Sequence, residues 1–243
     1  MKLSGKRVLI TGGGSGIGLV MAEAMLKIGA EVFVCGRTES RLLEAQTKHP
    51  ALKIQVCDVT CSEDIAALVK QCEEWGGLDV LVNNAGIYHE YDFTSPDTQL
   101  QPQLDEINIG FQGPVRMVHA FLPGLLKRSE AAIVNVSSGL AFVPLVRGPI
   151  YSATKAAVHA WTRSLRKQLE ATSVSVFELM PPVTDTELVR DFDVDKESPQ
   201  KVVDALLEGI RKGKVEITPG PAKQLRFMSR FAPGFIFKML NQG

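Results

Sequence analysis

Short apolar runs in this chain stop, again and again, at a small or polar cluster. Arg7–Thr11 leads into Thr11-Gly-Gly-Gly-Ser-Gly-Ile-Gly18, Glu31–Cys35 into Gly36-Arg37, and Leu52–Cys57 into Asp58. Leu78–Val82 leads into Asn83-Asn84-Ala85-Gly86, Ala131–Val136 into Ser137-Ser138-Gly139, and Val174–Leu179 into Pro181-Pro182 and on to Thr186. Between the runs lie helical patterns, as where Ile17, Val20, Met21, Ala24, Met25 and Ile28 recur before a stop at Gly29. Runs that are apolar throughout are strands buried on both faces, and helical crossovers force them to be parallel and right-handed. The chain should therefore fold as α/β, a doubly wound parallel sheet of about seven strands with helices on both faces. Val215–Thr218 supplies the seventh strand.

The remaining elements follow from periodicity and end signals. A polar helix is expected over 39–48, and another is expected after Ser62, read as its N-cap. Residues 87–102 read as a loop and 104–127 as one helix through Ile107, Phe111, Val115, Val118 and Leu122. A helix should start near Tyr151 and run to about Ala171, and another should span Pro199–Lys212 behind a charged segment, Asp185–Glu197. The 243 residues suffice for one large domain, placed at 1–221, with an apolar and basic extension at 222–243.

Lys+Arg and Asp+Glu balance at 27 each, which gives no reason to expect a nucleic-acid partner. No window is apolar enough to span a bilayer, and no hydrophobic signal region precedes the first strand, so a cytoplasmic protein is expected. Cys35, Cys57, Cys61 and Cys72 lack metal-ligand spacing and read as free thiols; no metal site is expected.

In a doubly wound sheet, ligands bind beyond the carboxyl ends of the strands, where the strand order reverses. All six clusters fall at such ends and form a rim. The first is not the GxGxxG fingerprint, because Ile17 stands where that register needs glycine. Gly12, Gly16 and Gly18 still lie between a strand and a helix amino terminus, a setting that favours a pyrophosphate. At Gly36-Arg37 the acidic residue that takes the ribose hydroxyls of NAD is missing, and a guanidinium follows. That favours NADP(H) over NAD(H), the alternative being a solvated arginine. Asp58 is open between a helix cap and an adenine contact. Paired asparagines after an apolar strand are costly unless hydrogen-bonded, so Asn83-Asn84 should clamp neighbouring strands and leave Ala85-Gly86 beside a ligand.

One helical turn separates Tyr151 from Lys155, which places them on one face among Ala153, Ala156, Ala157 and Ala160. Taken in order, Thr11-Gly12-xxx-Gly16-x-Gly18, Asn83-Asn84-Ala85-Gly86, Asn108, Ser138, Tyr151 and Lys155 resemble the short-chain dehydrogenase/reductase family in its single-domain, Rossmann-type form. The carboxyl-terminal part, from Ser198-Pro-Gln-Lys through Val215-Glu-Ile-Thr-Pro-Gly to Ala232-Pro-Gly-Phe, resembles the DltE-like branch of that family. The resemblance implies catalysis by Asn108, Ser138, Tyr151 and Lys155. To the cofactor contacts it adds Gly14, Ser15, Ile17, Val59, Tyr151, Lys155, Pro181, Val183 and Thr186. Pro182 departs from the pattern, which has glycine there.

Carbonyl reduction needs a proton at the oxygen. Tyr151 would supply it, with its pKa expected to fall beside the Lys155 ammonium. Ser138 can hydrogen-bond the developing charge. By resemblance, Lys155 also holds the nicotinamide ribose and Asn108 a relay water. The expected function is hydride transfer between NADP(H) and a small-molecule carbonyl or secondary alcohol. A catalytically silent NADP(H)-binding sensor or scaffold is the alternative. Ile87, Tyr88, His89, Leu140–Val143 and residues 185–197 are candidates to shape the substrate. By resemblance, the helices carrying Phe111, Val115, Val118 and Leu122, and Ala156, Val158, Trp161 and Leu165, build a dimer interface, so a homodimer or homotetramer is expected. The 222–243 tail could pack on the domain, on a partner subunit or on a membrane surface.

Overall fold

A computed structural model describes residues 1–242. Seven strands form one sheet: β1 (Arg7–Thr11), β2 (Glu31–Gly36), β3 (Lys53–Val56), β4 (Val80–Asn83), β5 (Ala131–Val136), β6 (Val174–Leu179) and β7 (Glu216–Ile217). All pairs are parallel, in the order β3-β2-β1-β4-β5-β6-β7. The chain builds outward from β1 to β3, then returns to the other side of β1 for β4. The direction therefore reverses between β1 and β4.

Strand alternation sorts the apolar residues into two layers. Val8 and Ile10 of β1 meet α1 (Gly16–Lys27), α2 (Glu39–Lys48) and α7 (Pro199–Lys212) through Met21, Met25, Leu42, Val203 and Leu206. Leu9 meets the opposite layer, formed by α3 (Ser62–Glu74), α5 (Gly113–Leu125) and α6 (Pro149–Gln168), through Leu68, Met117, Phe121 and Leu165. Cys35, Cys57 and Cys72 are buried in that second layer as free thiols, while Cys61 is half-buried.

Several boundaries differ from expectation for local reasons. Cys61, not Ser62, holds the N-cap position of α3. Asp58 does not cap that helix either: its carboxylate accepts from the amide and hydroxyl of Thr60, while Asp64 reaches back to the Asp58 amide at 2.8 Å. The helix expected over 104–127 begins earlier, as α4 (Leu100–Ile107), and widens into a π-turn over Asn108–Gln112 before α5. Pro114 has no amide hydrogen to donate to the carbonyl four residues back, so the ladder slips there. The Gly113 amide bonds instead to the Asn108 carbonyl, five residues back. Residues 169–171 fall outside α6, and 215 and 218 outside β7.

The tail forms two helices, α8 (Pro221–Phe231) and α9 (Pro233–Leu240). Both are anchored on the domain. A Cβ on Gly139 would meet Leu225 at 3.2 Å and Ala222 at 3.3 Å. Ile236 is buried, and Asn241 accepts from the Val146 amide at 2.7 Å while donating to the Pro144 carbonyl at 3.1 Å.

Candidate active site

The rim assembles at the β1–β4 reversal. Thr11, the last residue of β1, accepts on its hydroxyl from the amides of Asn84 and Ala85, both at 3.0 Å. Asn84 answers with its side-chain amide, which donates to the carbonyls of Thr11 and Gly12 at 3.0 and 3.3 Å. Asn83 is buried and donates to Asn135 of β5 at 2.8 Å, and Asn135 passes the bond on to Thr162 of α6. The paired asparagines thus lock β4 to the glycine turn on one side and to β5 on the other.

That lock explains the glycines. Gly12 has φ +67°, a left-handed conformation that glycine alone adopts without strain. A Cβ on Gly18 would lie 2.4 Å from the Gly12 carbonyl oxygen and 2.6 Å from the Asn84 amide nitrogen. Gly18→Ala should therefore cost on the order of 1–3 kcal/mol of stability and weaken cofactor binding. A thermal melt beside an NADP(H) titration checks both, and an unchanged melt with unchanged affinity would contradict the packing account.

The amino terminus of α1 opens onto this turn with no acidic residue in its first turn, a surface suited to a dinucleotide pyrophosphate. Gly14 and Ser15 are half-buried on it, and Ile17 turns into the core above the sheet. Arg41 closes one side: its guanidinium reaches Ser15 at 3.5 Å and pairs with Glu187 at 2.7 Å. Thr186 approaches from the far side, 3.5 Å from where a Gly16 Cβ would stand. Pro181 accepts from the Gly139 amide at 2.9 Å, and Val183 accepts from Glu197, so the segment carrying Pro182 keeps a defined path over the site. The carbonyl of Pro182 takes the Thr184 hydroxyl at 2.9 Å. Arg37 stands exposed beyond β2. The Val59 side chain is buried and packs where a Gly113 Cβ would come within 2.8 Å. The residues present fit a nicotinamide dinucleotide along this groove.

The reacting end lies beyond β5. Lys155 is buried, and its ammonium donates to the Val136 carbonyl at 3.0 Å while lying 5.3 Å from the centre of the Tyr151 ring. Burial lowers its pKa from 10.5 to about 8. Tyr151 does not behave as expected. Its phenol is held well above the ordinary value, first by burial and then by the charge of Glu106, with only the neighbouring Ser138 hydroxyl opposing. The Lys155 ammonium does not figure among the groups that shift it. Ser138 accepts from the Leu140 amide at 3.1 Å, which fixes its hydroxyl at the head of the Gly139–Ala141 turn. Asn108 sits in the π-turn, and the turn's glycine, Gly110, is pressed so closely on α6 that a Cβ would stand 2.7 Å from Thr154.

Two groups have no counterpart in the sequence reading. Glu106, on α4, is buried; one oxygen takes the His89 amide and lies 3.4 Å from the His89 ring, and the other has no hydrogen-bond partner among the described residues. Burial raises its pKa, and His89 opposes that rise. Glu178 is fully buried under Ser137, accepting its hydroxyl at 2.6 Å and facing His159 Nδ1 at 3.0 Å. A carboxylate inside an apolar strand was the available signal for Glu178; nothing local marked Glu106.

Beyond Tyr151 the walls are aromatic. Tyr88 meets Tyr151 edge to face at 5.4 Å and Phe192 at 5.1 Å, and Arg147 lies over the Phe192 ring at 4.1 Å while pairing with Glu90. The expected loop, the 185–197 segment and Arg147 thus converge beside Tyr151.

Known proteins agree with this geometry. The family model described as short chain dehydrogenase matches residues 6–197. The chain is 43% identical to the uncharacterized oxidoreductase DltE of Bacillus subtilis (strain 168), over 99% of this chain and 98% of that protein. A short chain dehydrogenase from Burkholderia cenocepacia J2315, solved in complex with NADP, superposes with TM-score 0.88 at 26% identity over 100% of both chains. A Burkholderia phymatum short chain dehydrogenase/reductase, solved in complex with NAD, shares the fold at TM-score 0.86 and 20% identity, covering 100% of this chain and 97% of that one. With a family match over most of its length and a strand-end groove shaped for a dinucleotide, the chain is an oxidoreductase that belongs to the short-chain dehydrogenase/reductase family.

Proposed function

We propose that this enzyme reduces a small carbonyl compound with NADPH, or runs the reverse oxidation, with Tyr151 exchanging the proton at the substrate oxygen. The observation that carries this reading is the grouping of Ser138, Tyr151 and Lys155 at the carboxyl end of β5, beside Gly86 and below the aromatic wall. A Cβ on Gly86 would lie 3.6 Å from the Lys155 ammonium, so the backbone of Gly86 runs beside the lysine. When bound, the nicotinamide supplies or accepts the hydride. The protein's part is to position and to polarise. Ser138 holds the carbonyl oxygen, Lys155 faces the ribose, and Asn108, in the widened turn, orients a water toward Lys155.

Burial and the charge of Glu106 raise the Tyr151 pKa, so the phenol carries a proton to give in the reductive direction. Tyr88 and Phe192 offer an apolar, aromatic surface to whatever substituent the carbonyl carries. Partly buried Phe111 and Trp161, in edge contact at 6.2 Å, and exposed Val115 leave apolar surface on the π-turn, α5 and α6 for pairing with a second subunit. Val118, Val158 and Leu165 are consumed by the core and take no part in that surface.

NADP(H) is assigned over NAD(H) because Arg37 is exposed at the end of β2 with no acidic residue in its place, while the neighbouring Arg41 is already paired with Glu187. Arg37→Ala should raise the Kd for NADPH roughly 10- to 100-fold, the worth of a charged hydrogen bond, and leave that for NADH nearly unchanged. Fluorescence titration with both cofactors measures this. A wild type that prefers NADH, or a variant without effect, would remove the assignment. The activity itself is tested by following NADPH oxidation across a panel of aldehydes and ketones. Tight NADPH binding without turnover on any of them would favour the sensor.

A further inference from the structure

We propose that α8, α9 and the adjoining end of α6 form a docking face for an anionic phospholipid bilayer, with one lipid phosphate seated among Arg163, Arg226 and Arg230. Two separate features of the molecule meet on this face. The first is a cavity of about 230 Å³ between α6, β7 and α8, into which these three arginines and His159 project. Its acidic lining residue, Glu216, is already engaged by Arg166 and Arg226. Arg163 and Arg230 are exposed and form no ion pair among the described residues, so the cavity reaches solvent with an excess of positive charge. Guanidinium groups gathered round a small polar cavity match a phosphate oxyanion in both charge and donor geometry.

The second feature is the outer surface of the same helices. Phe227, Phe231, Phe235, Phe237 and Met239 are 60, 71, 62, 41 and 52% exposed. Phe227 and Phe231 stack at 4.6 Å one turn apart on α8, and they interleave along that helix with the cavity's Arg226 and Arg230. Single exposed apolar residues are ordinary; five large ones within two short helices are an interaction surface.

Charge selects the occupant. Every charged residue after Glu216 is basic: Lys223, Arg226, Arg230 and Lys238. A second copy of the chain meeting this face about a two-fold axis would bring these cations against their own counterparts. An anionic lipid surface meets the same cations favourably and also accepts the phenylalanine rings at the headgroup boundary. Neither helix can cross the membrane, so the contact is interfacial. The attachment of α8 to Gly139 and of Asn241 to residues 144 and 146 would hold the pocket mouth close to that surface. The readout below involves neither cofactor nor substrate, so it stands or falls apart from the reductase assignment.

The test is co-sedimentation of the full chain with phosphatidylcholine vesicles, with and without phosphatidylglycerol. Wild type should partition to the phosphatidylglycerol vesicles on the order of 20-fold more strongly than to phosphatidylcholine alone, and the difference should shrink in high salt. The double variant Arg163→Gln/Arg230→Gln should lose most of that preference. Phe231→Ser/Phe235→Ser should lose sedimentation with both vesicle types. All four residues are exposed, so melting temperatures should stay close to wild type. Absence of sedimentation, equal binding to both vesicle types, or binding untouched by both variants would overturn the proposal. So would a phenylalanine variant that splits an oligomer while vesicle binding persists, which would give the face to a second copy.

Discussion

Tyr151→Phe is expected to lower kcat for carbonyl reduction by roughly 10²–10⁴-fold, the usual contribution of a positioned proton donor, while leaving the Kd for NADPH close to wild type. The ring is held by edge contact with Tyr88 and lies over the Lys155 ammonium, and phenylalanine keeps both relations. What is lost is the hydroxyl beside Ser138. Because burial and Glu106 hold that phenol in its neutral form, the wild type should carry its transferable proton across the physiological range. Single-turnover reduction with a carbonyl found in the NADPH panel, beside a cofactor titration, measures the two effects separately. Turnover retained within a few-fold would remove Tyr151 from the mechanism. Loss of both turnover and cofactor affinity would mean the ring organises the groove rather than the chemistry.

Lys155→Met should move stability and activity in opposite directions. Lys155 is 4% exposed, and its ammonium, bonded to one carbonyl, has a pKa of about 8, against 10.5 when solvated. The unfolded chain therefore binds the proton more tightly than the native one. Below pH 8 this group destabilises the fold by its full amount, roughly 3 kcal/mol from the shift at 1.36 kcal/mol per pH unit. Between pH 8 and 10.5 the penalty fades, so wild-type stability gains from this site as pH rises. Methionine fills similar volume without charge. The variant should be up to about 3 kcal/mol more stable at pH 7, with the lysine-dependent rise above pH 8 gone. On the proposed mechanism, its kcat should fall on the order of 100-fold or more, because the positive charge placed to face the ribose is gone. Denaturant melts at pH 7 and pH 10 check the first claim. A variant less stable than wild type at pH 7 would show that the Val136 carbonyl needs its lysine more than the charge costs. This is the trade expected where a residue is kept for chemistry rather than for the fold.

Much of this was legible along the chain because the causes are local. Apolar runs that leave no polar face must be buried on both sides, and that fixed the parallel sheet. Gly12 and Gly18 announced a turn that tolerates no Cβ, and the reason is now concrete: the Gly12 carbonyl and the Asn84 amide occupy the space. The Tyr151–Lys155 spacing needed only the helical repeat. The misreadings also have local causes. Pro114 sits inside an apolar helical pattern that hides the missing donor, so the π-turn at Asn108 reads as plain helix. Ser62 carries the usual capping side chain, but Asp64 reaches back to Asp58 and shifts the boundary by one residue.

By itself, then, the sequence determined the layer architecture, the strand ends that carry chemistry and the residue types gathered there, because each follows from periodicity or from one residue's backbone limits. The tertiary structure alone decided the electrostatics. Glu106 is remote from Tyr151 in sequence, yet its charge adds to burial in raising the phenol's pKa, while the lysine one turn away donates to the Val136 carbonyl. The tertiary structure also brought Arg163 of α6 beside Arg226 and Arg230 of α8 around one cavity. Charge interactions and burial act through space in a medium whose polarity the fold itself creates, and chain order does not record that distance.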